Sequence, residues 1–339
     1  MAKPKLYDAV RNHDFSENTC FLCGTRTADE EDSKEHVFPK WLLHHFSLWD
    51  KFLTLINGTQ IPYRSLVIPC CTKCNNDHLS QIENTISAAF LAGSSAMREV
   101  DREVLMLWTL KIFFGLLYRE VFLPMERREP SSGSIITPED MEQFRLLHYM
   151  LQAARIPIRF SKIESDIPAS IFIFDLQEPS NSELRFDYKD DVAIKTLYLR
   201  MGKVGILAAF DMGAQTYEDH HFFPRYQFHP LHPLQFEELG AYLFMKARKF
   251  NRVPNVMISE SPRGIDFQIG PIAGLSTRPV FERWSAEEMA EMLMFFLRYP
   301  KEAVMPVEGR VATWLHKEDG AFWHMDINTP PWSIKSDAT

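Results

Sequence analysis

The sequence predicts a mixed α+β protein, and three observations indicate this fold class. All five cysteines fall between residues 20 and 74 of the 339-residue chain, among short irregular segments. A helical spacing of apolar residues then runs from about residue 79 to residue 122. In the second half, β-branched and alternating segments are separated by turn residues. We therefore predict three consecutive domains: a cysteine-bearing head over residues 1–95, a helical connector over 96–160, and an α+β domain with a largely antiparallel sheet over 161–339.

The composition excludes several classes of protein. Apolar residues make up 45% and charged residues 24% of the chain, as in ordinary globular proteins. The net charge of −8 excludes a polycation that coats nucleic acid by charge alone. The first residues, MAKPKLYDAVRNHDF, show no apolar signal segment. The most apolar run, Val104 to Leu117, is too short for a bilayer and carries Lys111 at its centre. We therefore expect a cytoplasmic protein with reduced thiols and no membrane partner.

The connector shows helix signals on both sides of a break. Residues 101–122 are apolar nearly all round, which predicts a buried helix. Residues 124–133, PMERREPSSG, have the composition of a linker. Thr137-Pro138-Glu139-Asp140 then predicts the start of another helix, with a threonine cap, a proline at the first position and acids in the first turn.

The last domain alternates strand and helix patterns. The segments IFIFDL, VAIKTLYLRM and KVGILAAF predict strands, with a hairpin turn at Gly202-Lys203. Helices are predicted over Pro233–Lys249 and over Ser285–Arg298, the second behind a capping box. Two short strands, NVMISE and GIDFQIG, lie between them. This domain contains no P-loop, no G-x-G-x-x-G and no G-x-S-x-G, so its residues assign it no function.

The cysteines are spaced like metal ligands. Cys20 and Cys23 form one Cys-x-x-Cys turn, and Cys71 and Cys74 form a second. Each turn aims two thiolates at one point, and two such turns complete a tetrahedral zinc site with no open position for catalysis. Cys70 is an alternative to Cys71, although the two-residue spacing favours Cys71. A redox role is disfavoured because it needs one such pair in a thioredoxin-like setting. We predict a structural Zn²⁺ ion at these four cysteines.

Residues suited to acid–base and metal chemistry lie between the two turns and just after the second. Glu35 and His36 open the segment Glu-His-Val-Phe-Pro, which predicts a strand that ends at the proline. Asn75 and His78 follow the second turn at the start of a helix and, being three residues apart, share one face of an α-helix. We expect these four side chains to converge beside the zinc site.

The combination of Cys-x-x-Cys, Glu-His-Val-Phe-Pro and Cys-x-x-Cys-Asn-Asn-x-His resembles the HNH (ββα-metal) endonuclease family in its zinc-stabilised form. The resemblance covers about residues 18–84. It implies an N-terminal ββα-metal module that hydrolyses phosphodiester bonds in nucleic acid, with DNA favoured over RNA. It further implies that His36 is the general base that deprotonates a water molecule. Glu35, Asn75 and His78 are the implied ligands of one catalytic divalent cation, Mg²⁺ or Mn²⁺.

The chemistry of these residues agrees with the implied roles. Phosphodiester hydrolysis needs an activated water, a Lewis acid and help for the leaving group. A neutral imidazole is suited to base work near pH 7. Oxygen ligands from Glu35 and Asn75 suit Mg²⁺, and a nitrogen from His78 adds tolerance for Mn²⁺.

Two other hypotheses remain open on the sequence. The first is a zinc-ribbon adaptor that binds nucleic acid or protein without catalysis, which explains the cysteines equally well. The second is a nuclease that stays silent until the C-terminal domain binds a regulatory ligand or protein partner, as in bacterial defence effectors. The second hypothesis rests on domain layout alone.

Overall fold

The computed structural model describes residues 5–12, 14–27, 34–161, 166–218, 221–272 and 277–328. Within these ranges the strands are β1 (Lys34–His36), β2 (Phe52–Thr54), β3 (Gln60–Pro62), β4 (Val67–Pro69), β5 (Pro124–Glu126), β6 (Glu129–Ser134), β7 (Ile158–Ser161), β8 (Ser170–Asp175), β9 (Phe186–Asp191), β10 (Thr196–Met201), β11 (Val204–Ala209), β12 (Val256–Ser261) and β13 (Gly264–Ile269). The α-helices are α1 (Lys40–His45), α2 (Ser80–Ala92), α3 (Ser94–Glu99), α4 (Arg102–Glu120), α5 (Arg145–Leu151), α6 (Ala214–Glu218), α7 (Pro233–Arg248), α8 (Ala286–Leu297) and α9 (Lys301–Val304). The predicted mixed α+β class is confirmed.

The chain forms two compact units, and each gathers segments that are distant in sequence. Unit 1 comprises Met1–Leu91, Val100–Ser161 and Val256–Gln268; unit 2 comprises Ala92–Glu99, Lys162–Asn255 and Ile269–Thr339. The segment Val256–Gln268 belongs to unit 1 because its strand β13 pairs in parallel with β7. The boundaries predicted after residues 95 and 160 rest on local composition. Local composition does not indicate that a later segment of the chain pairs with a strand of unit 1.

Helix α4 forms the core of unit 1 and supports the strands that carry the candidate site. It begins at Asp101, whose carboxylate accepts hydrogen bonds from two amides of the first turn. Its side chains are buried on every face from Leu105 to Tyr118, as the sequence predicts. A Cβ atom at Gly115 would lie 3.3 Å from the methyl carbons of Val37, so the missing side chain lets the end of β1 pack directly on α4. Of the helices in the described residues, α4 included, none has the length and apolar character needed to cross a membrane.

The segment predicted as a linker is instead a β-hairpin. β5 and β6 pair in antiparallel fashion across residues 124–134. The Ser132 hydroxyl accepts a hydrogen bond from the amide of Glu126, and the side-chain amide of Asn57 donates to the carbonyl of Met125 at 2.7 Å. The linker prediction was wrong because polar and turn residues also suit a short exposed hairpin that tertiary contacts hold in place.

Unit 2 is built on an antiparallel sheet with the strand order β8-β11-β10-β9. Gly202 takes the predicted turn between β10 and β11 with a φ of +56°. The ring of Phe236 on α7 lies 2.6 Å from the position of a Cβ at Gly205, so this glycine lets α7 lie close on the sheet. α8 begins with the predicted capping box of Ser285 and Glu288.

Candidate functional site

The first cysteine pair lies on a tight turn that depends on a glycine. The amide of Cys20 donates to the carbonyl of Thr25 at 2.8 Å, and the amide of Gly24 donates to the carbonyl of Cys20 at 2.9 Å. Gly24 has a φ of +76°, and a Cβ there would overlap the ring of Tyr7. The Cys20–Cys23 turn therefore accepts only glycine after its second cysteine.

The second pair opens a helix. The amide of Cys74 donates to Sγ of Cys71 at 3.4 Å, and the amide of Asn75 donates to the carbonyl of Cys71 at 2.9 Å. Residues Lys73–Leu79 are wound as a π-helix that continues directly into α2. The amide of Phe21 donates to the carbonyl of Pro69 at 2.9 Å, which joins the first turn to the end of β4, just before the second cysteine pair.

The two turns bring four thiols to one point. The ligand atoms of Cys20, Cys23, Cys71 and Cys74 all lie within 4.8 Å of one another, and Sγ of Cys23 lies 3.6 Å from Sγ of Cys71. A tetrahedral zinc ion with Zn–S bonds of about 2.3 Å places its sulfurs about 3.8 Å apart. The cysteines form no disulfide. This cluster is close enough to bind a metal ion, and its donor set suits zinc.

Cys70 lies outside this cluster. Its thiol is buried and donates a hydrogen bond to Cys20. Hydrogen bonds from Cys23, Cys70 and Cys74 lower the pKa of Cys20 well below its ordinary value. The structure thus groups Cys71 rather than Cys70 with the other three cysteines.

His36 is the half-buried end of β1. Its ring meets the ring of Trp49 edge-to-face, with centroids 5.8 Å apart. Burial, together with the positive charges of Lys40 and Lys111, lowers the pKa of His36 below its ordinary value. The imidazole is therefore neutral at neutral pH, which is the form that accepts a proton.

Glu35 faces the other side of the strand, because neighbouring side chains in a strand alternate. It is 6% exposed and forms an ion pair with Lys111, whose Nζ also lies 2.6 Å from Oε1 of Glu83. We call these three residues the Lys111 cluster. Burial raises the pKa of Glu35 to about 7 against the opposing charge of Lys111. Although burial opposes its charge, the two carboxylates raise the pKa of Lys111.

The structure therefore separates Glu35 from His36 and engages its carboxylate with a lysine. Sequence reasoning missed this pairing. The available signal was Lys111 itself, which is the single charge in the apolar run from Val104 to Leu117.

Asn75 contacts β1, whereas His78 lies among other charged residues. The Asn75 side-chain amide donates to the carbonyl of Lys34 in β1 at 3.4 Å. Burial and the charges of Lys73 and Arg155 lower the pKa of His78, against the opposing charge of Asp77. None of these groups is among those that shift the pKa of His36. The expected shared face assumed an α-helix, whereas a π-helix has wider turns and a different spacing of faces.

Among the residues that the structure describes, the four cysteines form the one group of three or more histidine, cysteine or acidic side chains placed to hold a metal ion. Glu35, His36 and His78 do not form a second such group. The assignment of Glu35, Asn75 and His78 to a catalytic cation stays a prediction. No protein-family model matches the chain, and neither curated proteins nor solved structures give a match.

Proposed function

We propose that this protein is a metal-dependent endonuclease that hydrolyses phosphodiester bonds, with DNA favoured as substrate and His36 as the general base. The observation that carries the proposal is His36 itself: a half-buried imidazole, kept neutral by its surroundings, at the end of a strand that packs beside a four-thiol metal cluster. Together with the helix that follows the cluster, this arrangement supports the ββα-metal relationship.

Each residue has a distinct task in the proposed reaction. His36 accepts a proton from the attacking water at a ring nitrogen. A divalent cation, when bound, supplies Lewis-acid stabilisation of the phosphate and the leaving oxygen. Asn75 and His78 are the proposed ligands that remain accessible, since Glu35 is engaged by Lys111. Lys40 is exposed next to the site and offers a contact to the nucleic-acid backbone.

The four cysteines have a structural task in this proposal. Four thiolates around one zinc ion leave no position for water or substrate. They join the first turn to the second, which links β4 to the π-helix, and β4 pairs with the strand of His36.

The proposal is tested with the zinc-loaded full-length protein on supercoiled plasmid, linear DNA and RNA, each with Mg²⁺, Mn²⁺ or EDTA. We expect nicking of DNA in Mg²⁺ or Mn²⁺ and none in EDTA. The His36→Ala variant should lose about 10²–10⁴-fold in rate, the usual contribution of a general base. Cleavage that survives in EDTA, or no cleavage under any of these conditions, contradicts the proposal.

One observation favours a second candidate, the zinc-ribbon adaptor without catalysis. The carboxylate of Glu35, the predicted acidic cation ligand, is committed to Lys111. In that case the protein binds nucleic acid or a partner protein in a binding assay and cleaves no nucleic acid with any of the cations. Regulation through residues 161–339 stays a prediction in both cases.

A further inference from the structure

Lys111 makes an unusual set of contacts inside unit 1. Its side chain is 2% exposed. Its Nζ donates to the carbonyl of His36 at 2.6 Å, to the carbonyl of Val37 at 3.3 Å and to Glu83 at 2.6 Å, and it also contacts the carboxylate of Glu35. The ammonium group has three hydrogens for these four acceptors, so its entire donor capacity is used and one hydrogen is shared between two acceptors.

The energetic cost of this arrangement indicates that it does more than fill the core. A buried ion pair is often no more stable than apolar residues of the same volume. The helix around Lys111 is buried on every face, so a methionine would fit the space at this position, but Glu35 and Glu83 would then lose their cation. What a methionine does not supply is a hydrogen bond to the two carbonyls that flank the end of β1.

Those two carbonyls belong to the candidate base and to the residue after it. The regular ladder between β1 and β4 ends at His36. Beyond it, the amide of Val37 still donates to the carbonyl of Leu66 at 2.9 Å. Lys111 binds the same stretch from the side of α4, so the backbone that sets the direction of the imidazole is held from two sides.

We infer that Lys111 is a positioning residue for His36, and that Glu35 and Glu83 act through Lys111 rather than on a metal ion. The inference rests on the proposed function for its kinetic consequence. It assigns to Glu35 a role different from the ligand role that the family resemblance implies. Glu83 comes from α2, so the ion pairs also tie β1 to the helix that follows Asn75 and His78.

The sharpest test compares Glu35→Gln with Glu83→Gln in the zinc-loaded protein. Both carboxylates touch the same ammonium, but only Glu35 has an implied role as a cation ligand. If both act through Lys111, each variant lowers kcat for plasmid nicking while KM for DNA is unchanged. A loss of up to about 10²-fold corresponds to a displacement of the base by about 1 Å. Binding of Mn²⁺ alone, followed by electron paramagnetic resonance, should have the same midpoint in both variants as in the wild type.

Lys111→Met should give the same pattern with a larger loss of kcat. Since this variant leaves two carboxylates buried without their cation, its result is compared with that of Glu83→Gln. The Glu83 side chain is 20% exposed, so we expect its replacement to disturb the core less. A matched readout without catalysis is the ring C–H signal of His36 in protein with ¹³C-labelled histidine. We expect this signal to shift in Glu83→Gln while the signal of exposed His45 stays in place.

The outcomes separate the inference from the proposed function. A weaker Mn²⁺ midpoint in Glu35→Gln alone overturns the inference, because Glu35 then acts as a ligand. Wild-type kcat in Glu83→Gln with an unshifted His36 signal also overturns it. If the wild-type protein cleaves nothing, the proposed function fails, and the His36 signal alone decides whether the Lys111 cluster positions this side chain.

Discussion

Each unit buries a cluster of charges, and the two clusters differ in their balance. The Lys111 cluster of unit 1 has one cation for two carboxylates. In unit 2, Asp187 contacts Lys189 and lies 3.8 Å from Arg200, which lies 3.4 Å from Glu237. These four residues, which we call the Arg200 cluster, pair two cations with two carboxylates, and the charge of Arg298 also acts on Asp187.

The balance decides which groups stay ionised. Burial raises the pKa of Glu35 to about 7, because one lysine shared with Glu83 does not offset it. Burial also acts on Asp187, but Lys189 and Arg200 outweigh it and lower the pKa of that carboxyl. In the Arg200 cluster each carboxylate has a cation, which suits a structural role. The Lys111 cluster has two carboxylates for one cation, and Lys111 also binds the backbone of the candidate base. Functional sites commonly contain arrangements that do not favour stability.

The largest effect on stability should come from replacing a ligand of the four-cysteine cluster, which belongs to unit 1 alone. Cys23→Ser should lose zinc and the fold of unit 1, because structural zinc sites contribute about 10–16 kcal/mol of binding free energy to folding. Hydrogen exchange should then rise in unit 1 and stay low in the sheet of unit 2. Cys70→Ala is the matched control, since Cys70 lies outside the ligand group. If Cys70→Ala loses zinc while Cys23→Ser keeps it, the ligand set is wrong.

Breaking the Arg200 cluster should have the next largest effect. Arg200→Met removes a buried cation that lies 3.4 Å from the carboxylate of Glu237 and should lower the free energy of unfolding by about 3–5 kcal/mol. Arg200→Met combined with Glu237→Leu should recover much of this loss, because the carboxylate that faces Arg200 is removed with it. Urea unfolding followed by circular dichroism measures both. A double variant less stable than the single one contradicts a purely structural role.

The two clusters should also respond to pH in opposite directions. The pKa of Glu35 is raised from 4.5 to about 7, so its contribution to stability is full below pH 4.5 and is lost as the pH rises through 7. The pKa of Asp187 is lowered, so its contribution is present above pH 3.8 and is lost as the pH falls through its lower folded value. Glu35→Gln should make the decline between pH 4.5 and 7 shallower, since the raised pKa values of Asp190, Asp211 and Glu238 also contribute to it, whereas Asp187→Asn should leave it unchanged. An unchanged slope in Glu35→Gln contradicts the imbalance.

The smallest effects on stability should come from replacing the helix caps. Their cost is a reference against which the cost of breaking the buried charge clusters is compared. Asp101→Ala in unit 1 and Ser285→Ala in unit 2 each remove one capping side chain. Each should cost about 0.5–2 kcal/mol. Thermal unfolding of the two variants measures this cost. A cap that costs as much as Arg200→Met indicates that the buried charges contribute less than we infer.

The sequence predicted best what depends on neighbours along the chain. The two cysteine turns, the buried helix α4, the turn at Gly202 and the capping box at Ser285 each follow from a pattern within a few residues. Local spacing is enough for these features because their hydrogen bonds are themselves local.

What the sequence did not predict depends on distant partners. The engagement of Glu35 with Lys111 joins residues 76 positions apart, as the numbers 35 and 111 show. The hairpin at residues 124–134 is held by Asn57, and the π-helix changes the faces on which Asn75 and His78 lie. Spacing rules for α-helices do not anticipate these arrangements, since tertiary packing selects them.

The most direct test of the central claim is the rate of plasmid nicking in Mn²⁺ by zinc-loaded His36→Ala beside zinc-loaded His45→Ala. Both variants remove one imidazole from unit 1, but His45 is exposed on α1 and has no assigned role. If His36 is the general base, His36→Ala loses about 10²–10⁴-fold in rate while His45→Ala nicks at the wild-type rate. Equal nicking by the two variants contradicts it.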